Sequence, residues 1–205
     1  QEDEHYLDGH KQFIENYMNE VFDALKDGDD YKQLIDVESF IDWFIVSEVF
    51  KNVDSGYSSV FYYKDAGGLL KMGPLWDFDL SSGNQGHLGD DLRGPEGWYT
   101  PRQDKNRLFY YLWQYPEFKE ALKARWNEVY ETVILQVLDN IFNAADSITY
   151  SRYQNFQRWD IIGSNYEWYT APEVYAIDTY DEQVWFLHDY LEERIEWLDE
   201  AINDF

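Results

Sequence analysis

The run Phe40, Ile41, Trp43, Phe44, Ile45, Val46, Val49 and Phe50 is apolar on most of its circumference. A helix built from it has no face to give to water, so it must lie at the centre of a domain. Asp36 stands where its carboxylate can cap that helix, with Ser39 three residues later in place of the Glu of a full capping box. A second stripe, Phe13, Ile14, Tyr17, Met18, Val21, Phe22 and Leu25, recurs at three- and four-residue spacing. It predicts an amphipathic helix over about residues 8–26, ended by Asp27-Gly28-Asp29-Asp30. Residues 104–114, 116–142, 143–160 and 179–203 also read helical, with Pro116 at a helix start. The last of these carries Val184, Leu187, Leu191, Ile195, Leu198 and Ile202 as a core stripe.

The character changes between residues 57 and 76. Ser58-Ser59-Val60-Phe61-Tyr62-Tyr63-Lys64 is β-branched and aromatic, Asp65-Ala66-Gly67-Gly68 is turn chemistry, and Leu69-Leu70-Lys71-Met72 resumes until Gly73-Pro74 stops it. These are the signals of a hairpin. From 85 to 103 the chain is rich in Gly, Asp and Pro, a long irregular loop of the kind that is functional or mobile, and a candidate lid or substrate-facing segment. The expected fold is therefore mainly α with a small β-hairpin (α+β), one domain over residues 1–205.

Charge and composition narrow the function classes. With 41 Asp and Glu against 16 Lys and Arg the formal charge is -25. Such a surface repels phosphate backbones and anionic headgroups, which argues against nucleic acid and membrane surfaces as partners. The absence of Cys excludes disulfides, thiolate metal sites and thiol catalysis. An acidic, cysteine-free, aromatic-rich chain suits a bacterial secreted protein. No apolar run approaches the roughly 18–20 residues a membrane span needs.

Folding the hairpin about a turn centre between Ala66 and Gly67 sets residues whose numbers sum to about 133 opposite one another, roughly 4.5–5.5 Å apart. Asp54, Asp77 and Asp79 then converge at its open end, with Asn52 close behind, and a continuing strand would put Asp77 and Asp79 on one face. Three carboxylates this close repel unless a cation sits among them, and all-oxygen ligands suit Mg²⁺, Mn²⁺ or Ca²⁺. Chance proximity among so many acidic residues is the bland alternative. Against it, Trp76-Asp77-Phe78-Asp79 sets the charges between large apolar residues, a costly place for an unpartnered carboxylate. Ser81-Ser82-Gly83-Asn84 follows as a tight polar turn. An EF-hand fails on spacing: counted from Asp77, the sixth and twelfth positions are Ser82 and Leu88, and counted from Asp27 the sixth is Lys32. Phosphoryl transfer uses such a set best, since it needs carboxylates and an Asn around metal ions and one carboxylate to orient the attacking hydroxyl.

The stretch Phe40-Ile41-Asp42-Trp43-Phe44-Ile45-Val46-Ser47-Glu48-Val49-Phe50-Lys51-Asn52-Val53-Asp54, with Ser58-Ser59, Tyr62-Tyr63-Lys64-Asp65, Gly67-Gly68, Leu70-Lys71-Met72-Gly73-Pro74, Trp76-Asp77-Phe78-Asp79-Leu80 and Gly83-Asn84, strongly resembles the CotH kinase family of atypical secreted kinases. The motif core is 36–84. The resemblance implies an atypical protein-kinase-like fold, ATP with Mg or Mn, and phosphorylation of Ser in secreted or spore-coat proteins. It implies Asp54 as the catalytic Asp and Asp77 as the metal-binding one; Asp79 and Asn52 are added as metal ligands from the hairpin geometry. It also implies that these residues correspond to the helical C-terminal lobe, without the β-rich N-terminal lobe that grips the nucleotide, and hence a piece weak or inactive alone. The implied setting is extracellular or cell-surface in bacteria, with the spore coat as the alternative.

Lys51, Lys64 and Lys71 are the basic residues nearest the site and read as solvated rather than phosphate-bound. His5, His10, His87 and His188 are scattered, with His87 eight residues past Asp79. Trp98-Tyr99 and the Tyr-rich residues 164–169 could stack on sugars, although such rings more often fill gaps between helices. They support an alternative function, a non-catalytic extracellular module binding carbohydrate or a scaffold or coat protein. A pseudokinase whose acidic cluster holds metal only structurally is the third reading.

Overall fold

The computed structural model describes residues 8–28, 30–56, 58–87, 89–164 and 170–205. Within them the chain runs α1 (Asp8–Asp27), a 3₁₀ turn at Tyr31–Gln33, α2 (Val37–Val49), a second 3₁₀ turn at Val53–Gly56, β1 (Tyr62–Tyr63) and β2 (Lys71–Met72). There follow α3 (Asp90–Arg93), α4 (Arg107–Leu112), α5 (Pro116–Val129), a π-helical turn at Tyr130–Ile134, α6 (Leu135–Ser147), α7 (Thr149–Arg158), α8 (Pro172–Tyr175) and α9 (Tyr180–Asn203). The fold is mainly α with one small antiparallel hairpin, as the sequence predicts.

The centre is α2. The Ser39 N–H donates to Asp36 Oδ1 at 3.1 Å and the Ser39 hydroxyl donates to the Asp36 carbonyl at 2.8 Å, so Asp36 is tied to the first turn by two bonds. Such a cap contributes about 1 kcal/mol. Phe40, Ile41, Trp43, Phe44, Ile45 and Val49 are buried, each worth roughly 1.5–3 kcal/mol of transfer from water. Phe44 meets Phe109, Trp113, Trp98 and Phe118 with centroids 5.4, 5.5, 6.0 and 6.3 Å away. α5, α9 and β2 pack on the other sides of α2, and α1 lies against α4.

Three details depart from the sequence reading. The α1 stripe is buried only from Val21 onward, while Phe13 and Ile14 stay more than half exposed. The 116–142 helix extends to Ser147 through the π turn, and the break expected at 143 falls at Ile148. There the Ser147 hydroxyl donates to the Ala144 carbonyl and the Thr149 hydroxyl to the Asp146 carbonyl, satisfying the last turn of α6 locally. Trp98 and Tyr99 are not a sugar platform. Tyr99 is fully buried, and Trp98 packs on Trp113 and Trp197 at 4.7 and 5.2 Å. Residues 165–169 and His5 lie outside the described residues.

Candidate functional site

α2 ends at Val49, and the chain reverses tightly beneath it. The Asn52 N–H donates to the Ser47 carbonyl at 2.9 Å, and the Asn52 side-chain oxygen accepts from the Asp54 N–H at 3.1 Å. Asn52 is buried and so acts as the cap of the Val53–Gly56 turn. The Ser55 hydroxyl sits 3.0 Å from the Thr100 hydroxyl, and Asn106 Nδ2 donates to the Ser55 carbonyl at 2.9 Å. Asp54 is thus presented, half-buried, from a turn tied to its surroundings on every side.

The other bank is the segment after the hairpin. Tyr62 pairs with Met72 and Tyr63 with Lys71, so opposed residues sum to 134, one more than the turn-centre estimate. The ladder ends where the Gly73 N–H donates to the Phe61 carbonyl at 2.6 Å. A Cβ on Gly73 would stand 2.8 Å from that same carbonyl oxygen, so the residue there must be glycine. Beyond it no strand continues, and the shared face expected for Asp77 and Asp79 does not come from β geometry. Asp77 instead takes a left-handed backbone, φ 66°. Its Oδ2 accepts from the Ser59 hydroxyl at 2.9 Å. Phe78 is half-buried edge-on to Phe50 at 5.7 Å. The carboxylates are not embedded: Asp77 and Asp79 are exposed, and Trp76 is 60% exposed. A cavity of about 550 Å³ opens beside them, lined in part by Phe50, Leu75, Phe78 and Asp79.

Electrostatically the two banks meet. Burial, then the nearby Asp77 and Asp79 carboxylates, push the Asp54 carboxyl above its ordinary value, against the opposing pull of His87. Asp77 and Asp79 are thus close enough to act on Asp54, and negative charge accumulates around it. The donor set, all oxygen apart from His87, fits a hard divalent cation. The three carboxylates do not close to within 4.8 Å of one another, a spacing that among the described residues only His188, Asp189 and Glu192 on α9 reach. Asn52 is behind the turn with its side-chain oxygen already accepting from Asp54.

Backbone strain marks the same place. Among the described residues, four non-glycine residues have positive φ: Lys51 at 45°, Ser59 at 53°, Asp77 at 66° and Ser82 at 51°. All four flank the two carboxylate banks, and strain of this kind persists only where surrounding structure over-determines it. The polar turn after Asp79 is part of this. The Ser82 N–H donates to the Phe50 carbonyl at 2.7 Å, and Gly83, at φ 78°, packs so close to the Tyr190 ring that a Cβ would meet it at 2.8 Å.

The sequence reading missed what holds the Asp54 bank. Glu48 and Arg194, essentially without exposure, form an ion pair at 2.7 Å, and Arg194 Nε also donates to the Glu48 carbonyl at 2.8 Å. The Glu48 carboxylate accepts from the Thr100 N–H at 2.5 Å and the Tyr99 N–H at 3.2 Å. Burial draws the Arg194 guanidinium below its ordinary value, and Glu48 opposes that. The signal was present: both residues are charges on stripes that are otherwise apolar. Lys51 is not solvated but buried, donating to the Gly94 and Glu96 carbonyls at 2.7 and 2.5 Å. The 85–103 segment is accordingly not a free lid. Residues 90–93 form α3 and residues 94–100 are fastened to the core, because buried side chains satisfy their backbone groups.

A family model described as CotH kinase protein matches residues 1–198 of this 205-residue chain, and the chain belongs to the CotH kinase family. That membership suggests a kinase-like protein. No curated protein and no solved structure matches the chain.

Proposed function

We propose that this member of the CotH kinase family carries the catalytic residues of an atypical protein kinase, transferring the γ-phosphate of ATP to Ser of secreted or spore-coat proteins. One observation supports the reading most: burial, with the charges of Asp77 and Asp79 from the segment after the hairpin, raises the Asp54 carboxyl above its ordinary value. A carboxylate whose pKa is raised is better suited to take a proton from an acceptor hydroxyl. In the reaction the Ser oxygen bonds to the γ-phosphorus as the bond to the β–γ bridging oxygen breaks. The hydroxyl proton passes to Asp54, and ADP departs.

Asp77 is the principal metal-holding residue in this reading, with Asp79 beside it and Asn52 supporting the site from behind the turn through its bond to the Asp54 N–H. Mg²⁺ or Mn²⁺ bound there with ATP would supply neutralisation of the phosphate charge. The Ser59 hydroxyl fixes one Asp77 oxygen, and the other would be the one available to a cation. Lys51 is engaged by backbone carbonyls and is not placed to grip a phosphate. The setting proposed is secreted, cell-surface or spore-coat. Among the described residues no helix is long and apolar enough to cross a membrane.

The test is phosphotransfer from labelled ATP with Mg²⁺ or Mn²⁺ in the natural full-length polypeptide, comparing wild type with Asp54→Ala and Asp77→Ala. Labelling of Ser that both substitutions abolish is the expected result. Labelling unchanged in both variants, or absent in wild type, overturns the reading.

A further inference from the structure

Four successive carbonyls of the segment after α3 are taken by two buried cations from opposite sides. Lys51 Nζ donates to Gly94 O at 2.7 Å and to Glu96 O at 2.5 Å. Arg194 Nη1 donates to Pro95 O at 2.6 Å and Gly97 O at 2.8 Å. The alternation is what an extended strap gives when both its edges are gripped. Two residues further on, Glu48 holds the Tyr99 and Thr100 amides, and Thr100 meets Ser55 inside the Asp54 turn.

We propose that Lys51 is a positioning residue for Asp54: through its grip on the 94–97 strap it fixes the turn that presents the carboxylate. The inference rests on the reading of Asp54 as the catalytic residue. Lys51 stands three residues before Asp54, is 2% exposed, and holds a left-handed backbone at φ 45° that a lysine adopts only under constraint. Its ammonium supplies that constraint. Its backbone N–H, bonded to the Glu48 carbonyl at 3.1 Å, links the same turn to the Glu48–Arg194 pair. The turn and the end of the strap also meet directly, the Ser55 hydroxyl lying 3.0 Å from the Thr100 hydroxyl.

The test compares Lys51→Met and Lys51→Gly with wild type by amide hydrogen exchange and by Mn²⁺ binding, both well below the melting temperature. Lys51→Gly removes the amine while relaxing the left-handed backbone, so it stays folded even where Lys51→Met does not. Exchange at the Asp54, Ser55 and Ser58 amides should rise about tenfold or more in either folded variant, while the α9 amides keep wild-type protection. Mn²⁺ affinity should fall about fivefold or more, whereas a residue that only stabilises the fold would leave it unchanged in folded protein. Wild-type exchange at those three amides in folded Lys51→Gly overturns the proposal. Faster exchange there without Mn²⁺ binding by wild type leaves the strap in place and counts instead against the metal-site reading.

Discussion

The two banks of the candidate site are built in opposite ways. The Asp54 bank is buried and clamped: Glu48, Lys51, Asn52, Ser55 and Arg194 all have less than a twentieth of their surface in water, and their hydrogen bonds run between helices α2 and α9 and the 94–100 strap. The Asp77–Asp79 bank is exposed and held by local ties: the Ser59 hydroxyl on the Asp77 carboxylate, Ser81 and Asn84 on the Phe78 and Asp79 carbonyls, and one edge-on aromatic contact. The contrast separates two tasks. A group that must meet a substrate hydroxyl in one geometry is preset by the fold. Carboxylates that take a solvated cation are left reachable, at the cost of mutual repulsion while the cation is away.

Substitutions on the two banks should therefore differ in kind. The largest loss is expected for Arg194→Met, which strands the Glu48 carboxylate in the interior; breaking a buried pair in this way costs about 3–5 kcal/mol. Urea unfolding of Arg194→Met beside Asp79→Ala measures the contrast, and the surface variant should stay within about 0.5 kcal/mol of wild type. Equal losses would erase the distinction between the banks. Phe78→Ala comes next, because Phe78 is the one large side chain anchoring the exposed segment. Its aromatic pair with Phe50 contributes about 0.5–1.5 kcal/mol beyond the buried area, so the same unfolding experiment should show an intermediate loss.

Much of this architecture is legible in the sequence, and the parts that are not share a cause. α2 is read correctly because a helix apolar all round has one place to go, and Asp36 and Ser39 announce its start. The hairpin is read to within one residue of register because Gly67 and Gly68 mark its turn. That Asp77 and Asp79 act on Asp54 through their charge agrees with the chain reversal at the hairpin. The local geometry does not follow from it: the ladder stops at Gly73, and the banks are flanked by left-handed residues that no periodicity encodes. The strap is misread as a lid because its composition is loop-like, while its partners Glu48, Lys51 and Arg194 are distant in sequence. Polar tertiary ties leave almost no local pattern. A lysine at a helix end and an arginine within an apolar stripe read first as surface residues.

Two smaller effects sharpen the comparison. Ser59→Ala removes the hydrogen bond that orients Asp77, for about 1 kcal/mol or less at an exposed position. It should weaken Mn²⁺ binding more than it lowers the melting temperature, as a paired titration and melt would show. The smallest effect concerns protons. Asp54, raised by burial and by Asp77 and Asp79, binds its proton more tightly folded than unfolded. Stability without metal therefore falls as pH rises from the ordinary aspartate range through the raised folded value, and it recovers below it. Asp54→Asn should flatten that slope, being more stable than wild type at neutral pH and equal to it in acid. A wild-type slope of the opposite sign would mean that Asp54 is paired with a cation of the protein itself.

The central claim is that Asp54 lies beside the place where Asp77 would hold a cation, close enough for its charge to strengthen binding. Mn²⁺ titration followed by water-proton relaxation, on wild type, Asp77→Ala, Asp54→Asn and the control His188→Ala, tests it most directly. The expected result is one saturable site whose affinity falls about tenfold or more in both aspartate variants and is unchanged in the control, with a melting temperature that rises with Mn²⁺ only where the site is intact. Indistinguishable titrations in wild type and Asp77→Ala would contradict the claim, and would leave the acidic surface as the only Mn²⁺ binder.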